Sequence, residues 1–109
     1  MAATNSHERI DRRSLAMHRA MAAKLMARPE LLEIAHGNIA RWMPGAGGSR
    51  GYLEAWRAIL ALPVEEIARV MVEDGERMTA MRQNSPFAGV LTPRERWAIY
   101  REFSEGGAG

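Results

Sequence analysis

Five prolines and one glycine-dense stretch constrain how this chain of 109 residues folds. The prolines stand at positions 29, 44, 63, 86 and 93. Proline lacks a backbone donor and pushes the residue before it out of the α region. Each one therefore ends a helix or opens the next. Between the prolines, apolar residues recur at spacings of three and four, the period of a single buried helical face. The pattern predicts an all-α fold of about five helices in a compact bundle. It forms one domain over 1–109, with 1–5 and 104–109 frayed.

The first helix carries its stripe on Ile10, Ser14, Met17, Met21 and Leu25, widened by Ala22 and Met26, with Asn5 or Ser6 as cap. Pro29 ends it and opens the second helix. There Glu30 and Glu33 suit the positive end of the helix dipole, and Leu31, Ile34, Ala35, Asn38, Ile39 and Trp42 face inward. Residues 44–51 hold four glycines and predict a flexible loop. The loop lacks the Gly-Lys-Ser/Thr ending of a phosphate-binding loop. A third helix is expected over 52–62 with Leu53, Trp56, Ile59 and Leu60 inward. A fourth is expected over 64–83, kinked or divided at Asp74-Gly75. Residues 84–91 are apolar yet contain Pro86 and Gly89, which predicts an ordered, non-helical crossover. Thr92, Pro93 and Glu95 spell a capping box for a last helix to about residue 103. Trp97, Ala98 and Tyr100 are available there for packing.

Composition narrows the function classes. Apolar residues make up 47% and charged residues 26%, ordinary for a folded domain, and there is no cysteine. Disulfide and thiolate chemistry are excluded. Apolar runs are too short for a membrane span, and the polar residues 1–13 contain no signal-peptide core. The expectation is a cytoplasmic protein with no membrane association. The net charge of +2 is unevenly spread. Residues 1–28 hold six basic groups against two acidic ones, whereas 29–83 hold six against eight. Lys24 is the only lysine. Arginine suits bidentate contact with carboxylate or phosphate, although GC-rich codons account for the bias equally well.

No catalytic constellation stands out. His7, His18 and His36 are far apart in sequence and fit no zinc-binding spacing, so no metal, no cofactor and no enzyme activity are expected. His18 reads as a core-edge imidazole beside Met17 and Met21. Glu65-Glu66 and Glu73-Asp74 read as solvated faces. Residues 64–83 loosely resemble a helix-turn-helix with Arg77, Arg82 and Gln83 exposed on the second helix. Glu73, Asp74 and Glu76 would repel phosphates there, and Val72 replaces the usual small turn residue. Arg9, Arg12, Arg13 and Arg19 are candidate nucleic-acid contacts, but their helix lacks an aromatic residue for base stacking.

Residues 81–97 read Met-Arg-Gln-Asn-Ser-Pro-Phe-Ala-Gly-Val-Leu-Thr-Pro-Arg-Glu-Arg-Trp. This segment resembles the C-terminal signature of small helical antitoxin-like proteins of bacterial toxin–antitoxin systems. The Arg/Met-rich first helix, Pro29–Glu33 and Ala40–Trp42 share the likeness more loosely. The resemblance implies a protein that silences a cognate toxin by steric masking, with nucleotidyltransferase-type toxins as neighbours. Candidate partner contacts are Arg82, Ser85, Pro86, Phe87, Arg94 and Trp97. The competing expectation for 84–91 is a crossover that plugs the chain's own core. A small helix-turn-helix-like DNA-binding regulator, including repression of its own operon, is the alternative function. The sequence leaves self-association into a homo-oligomer open.

Overall fold

A computed structural model describes residues 5–108, with side chains over 7–103. Six α-helices follow one another among the described residues: α1 (Asn5–Ala27), α2 (Leu32–Trp42), α3 (Arg50–Leu60), α4 (Val64–Val70), α5 (Glu76–Gln83) and α6 (Pro93–Ala108). No strand occurs among the described residues. The expected cap at Asn5 or Ser6 lies outside the described side chains, whereas α6 runs on to Ala108 through residues expected to fray.

The proline breaks fall where the sequence puts them, with three refinements. Pro29 opens a 3₁₀ turn, Pro29–Leu31, so α2 proper starts at Leu32. The glycine-dense stretch is not a flexible loop. It is two 3₁₀ turns, Met43–Gly45 and Gly47–Ser49, leading directly into α3. The Ala46 and Ser49 N–H groups donate to the Met43 and Ala46 carbonyls at 3.2 and 3.0 Å, which ties the backbone down locally. The third refinement is at residues 64–83, which divide into α4 and α5 and bring the helix count to six. The division comes just before Gly75, whose φ of 114° is closed to ordinary side chains.

α1 is the element that the others share. It packs against α4, α5 and α6, while α3 bridges α2 and α4. Its buried face is Met21, Ala22 and Leu25. Facing it are Ala35 and Ile39 of α2, Leu53, Trp56 and Leu60 of α3, Ile67 of α4, and Met78 and Met81 of α5. Met71, Phe87, Val90 and Leu91 complete the core from the connections. The stripes overrun this core at their ends, since Ile10, Met26 and Trp42 are exposed.

α6 begins with the predicted capping box. The Thr92 N–H donates to Glu95 Oε1 at 2.7 Å, and the Glu95 N–H donates to Thr92 Oγ1 at 3.1 Å. Glu95 also accepts from Lys24 of α1 at 2.8 Å. That contact, and then the Thr92 N–H, holds its carboxyl below the ordinary glutamate value. The expected packing of α6 through Trp97, Ala98 and Tyr100 does not occur. Ile99 meets the core instead, and those three side chains face out.

Candidate functional site

The crossover at 84–91 is drawn into the protein. Phe87 is fully buried, and its ring meets Trp56 and His18 in edge-on contacts with centroids at 5.2 and 5.9 Å. Such pairs add to the burial of the ring itself. Backbone entering a core needs hydrogen-bond partners, and Asn38 of α2 supplies them. Its Nδ2 donates to the Pro86 carbonyl at 2.8 Å and the Ala88 carbonyl at 2.9 Å. Arg41 donates to Asn38 Oδ1, which fixes the amide orientation. Gly89 turns the chain with φ 98°, and a Cβ there would stand 3.4 Å from Ile34 Cγ2.

A second clamp comes from α1. His18 Nδ1 lies 2.7 Å from the Ser14 carbonyl, which can only accept, so Nδ1 carries the proton. Nε2 is then the acceptor for the Ser85 hydroxyl at 2.9 Å. Ser85 Oγ in turn accepts the Phe87 N–H at 3.2 Å. Burial drives the His18 pKa down to about 4, against the Ser14 hydrogen bond that would raise it; the nearby Arg82 charge lowers it further. Nucleophilic catalysis uses a hydroxyl beside an oriented imidazole. Here the Ser85 hydroxyl is held between Nε2 and the Phe87 N–H, so the pair pins the crossover to α1.

These facts correct the expected contact set. Pro86 and Phe87 are buried, so no partner reaches them on this surface. Their apolar bulk fills the chain's own core. Arg82 is also buried, with 6% of its surface exposed, and does not project from α5 as a reading arginine would. Its Nη1 donates to the Met71 and Glu73 carbonyls at 3.2 and 2.8 Å, tying down the connection that follows α4. Backbone carbonyls turned inward need donors, and the guanidinium supplies them. Burial pulls the Arg82 guanidinium below the ordinary arginine value, partly offset by Asp74 and Asp11.

What faces out lies between α1 and α6. A groove of about 690 Å³ is lined by Arg9, Arg13, Arg96, Trp97, Tyr100 and Arg101, with Phe103 at its end. Arg13 stacks over the Tyr100 ring at 4.6 Å, and Trp97 meets Tyr100 edge-on at 6.3 Å. Trp97 is 65% exposed. Arg13, Arg96 and Tyr100 also border an adjoining trough of about 500 Å³. Its floor runs from Ile10, Met17 and Met21 to Leu91, and reaches His18 and Ser85. Arg9 and Arg13, which the sequence offers as nucleic-acid contacts, and Trp97, offered as a partner contact, thus belong to one surface. Arg12, Arg19 and Arg94 are exposed but do not line it. Arg96 and Arg101 went unrecognised in the sequence, where Tyr100 reads as a packing residue. Their signal is helical spacing: Tyr100 and Arg101 stand three and four residues after Trp97, and Arg96 four before Tyr100.

Among the described residues, no group of three or more His, Asp or Glu side chains gathers as a metal site would. No helix among them is long and apolar enough to cross a membrane. No protein-family model, curated protein or solved structure matches the chain.

Proposed function

We propose that this is a non-enzymatic, antitoxin-like protein that binds a cognate toxin and masks it sterically, using the α1–α6 face. The observation that carries this reading is the exposed Trp97, flanked by Tyr100, Arg9, Arg13, Arg96 and Arg101. Tryptophan, tyrosine and arginine are the side chains that dominate binding energy at protein interfaces. A large ring left in water beside a second exposed aromatic and a set of arginines is a surface that fits a partner. The resemblance of residues 81–97 to antitoxin-like chains supports the same reading. The half-buried Ser85 and the buried Pro86 and Phe87 then support the face from within.

The DNA-regulator alternative loses its strongest residue when Arg82 turns in to the α4–α5 connection, and the acidic Glu73, Asp74 and Glu76 remain beside it. Co-expression with the product of the adjacent open reading frame tests the proposal. The two proteins should co-purify, and growth arrest by that product alone should be relieved. Trp97→Ala should break both effects. Failure to co-purify or to relieve toxicity ends the antitoxin reading.

A further inference from the structure

We infer that the trough and groove together form a docking site for an acidic polypeptide segment carrying one apolar anchor side chain, and that the anchor enters the trough. The inference rests on the antitoxin-like reading for the partner's identity, but its chemistry comes from the site. The trough floor of Ile10, Met17, Met21 and Leu91 is apolar. Ser14, Arg82 and Tyr100 also line it, and three further polar side chains there are engaged. His18 is bonded to Ser14 and Ser85, Ser85 is also bonded to Phe87, and Gln83 donates to Asp11 at 3.0 Å. No described buried side-chain nitrogen or oxygen lacks a partner.

A ligand side chain on this floor therefore finds mainly apolar contact. A nucleobase carries polar edges that the floor residues do not pair, which is costly where water is displaced. A leucine or phenylalanine side chain would leave nothing unsatisfied, and the volume of about 500 Å³ has room for one. The charge sits at the rim, on Arg13 and Arg96, and continues to Arg9 and Arg101 along the groove. Arginines in a row beside an apolar hole fit carboxylates on either side of an anchor residue.

Fluorescence anisotropy of the full chain with labelled probes tests the assignment. The probes are a short acidic peptide with one central phenylalanine, its Phe-to-Ser version, and an oligo-dT strand. The phenylalanine peptide should bind at least about tenfold tighter than the serine peptide. Its affinity should fall with added salt. The R13E/R96E double variant, which reverses the rim charge, should lose binding. So should A88F, which fills the trough mouth from an exposed position and keeps every arginine. Circular dichroism checks that both variants fold. Equal binding of the two peptides, tighter binding of oligo-dT, or no binding of the phenylalanine peptide overturns the assignment. A chain that takes the peptide but does not co-purify with the neighbouring product keeps the trough and loses the antitoxin reading. The reverse result removes the trough assignment alone.

Discussion

His18 and Ser85, 67 residues apart in the chain, share a 2.9 Å hydrogen bond that pins the crossover to the middle of α1. The bond needs a neutral imidazole, because Nε2 must accept. Burial keeps it neutral down to a pH of about 4, whereas an unfolded histidine takes up its proton near 6.5. Between those values the unfolded chain binds more protons than the folded one. This contribution to stability is therefore complete above pH 6.5, declines as the pH falls through the window, and levels off below about 4. Its full size is about 3 kcal/mol. Urea denaturation of the wild type and His18→Gln at a series of pH values checks it. The variant should be less stable at neutral pH, and the gap should close as the pH falls. A gap that stays constant would show that His18 does not titrate between the two states.

Phe87 tests whether the signature segment is core or contact. Phe87→Ala removes a fully buried ring that touches Trp56 and His18. The expected cost is about 3–5 kcal/mol, a large share of a small domain's stability. Thermal and urea unfolding should shift sharply, with no partner present. A near-neutral effect on the isolated chain would return Phe87 to the surface.

Asn38→Ala leaves the Pro86 and Ala88 carbonyls without their donor inside the fold. A loss of about 2–3 kcal/mol is expected, since unpaired buried acceptors keep their desolvation cost. Hydrogen exchange should also show faster opening of amides around 84–91 than in α3. Uniform exchange across both would argue against a local clamp.

The capping box predicts a smaller, separable effect. Thr92→Ala should cost about 1 kcal/mol. Glu95→Ala should cost at least as much at low salt, because it removes the Thr92 N–H acceptor together with the Lys24 contact. The Lys24 share should shrink with salt, as exposed pairs do. Melting curves at two ionic strengths separate the two contributions.

Trp97→Ala should leave the melting temperature nearly unchanged, within about 0.5 kcal/mol, because the ring is mostly in water. Against the partner it should behave as a hot spot, with a loss of about 2 kcal/mol or more. Calorimetry of the purified pair measures the second effect. Equal affinity of wild type and variant would move the docking face away from α6.

Much of the helical plan was legible in the residues, and the reasons are local. Pro29, Pro44, Pro63 and Pro93 act on their own neighbours. The Thr92–Glu95 box closes within four residues. The stripes of α1 to α3 follow the helical period. The misreadings are local too. Glycines at 45, 47, 48 and 51 suggest looseness, yet i to i+3 hydrogen bonds order that stretch into 3₁₀ turns. Asn38 looks like a polar intrusion in the apolar stripe of α2, and only its long-range partners 48 and 50 residues away explain it.

The site was much less readable. A helical sequence shows which side chains share a face but not what that face meets. Arg82 reads as an exposed cation on α5, and the carbonyls of the α4–α5 connection draw it inward. Phe87 reads as an anchor for a partner, and the space between Trp56 and His18 takes it. Arg9 and Arg13 read as cations without aromatic company, and α6 supplies Trp97 and Tyr100 from more than 80 residues away.

By itself the sequence determined an all-helical chain, its breaks, its last cap and a basic first helix, because proline geometry, helical period and charge are properties of short stretches. Tertiary structure alone decided which rings are core and which are surface. It also decided that α1 and α6 together make one arginine and aromatic face. Burial and convergence depend on packing between segments distant in the chain, and no local pattern encodes that partner.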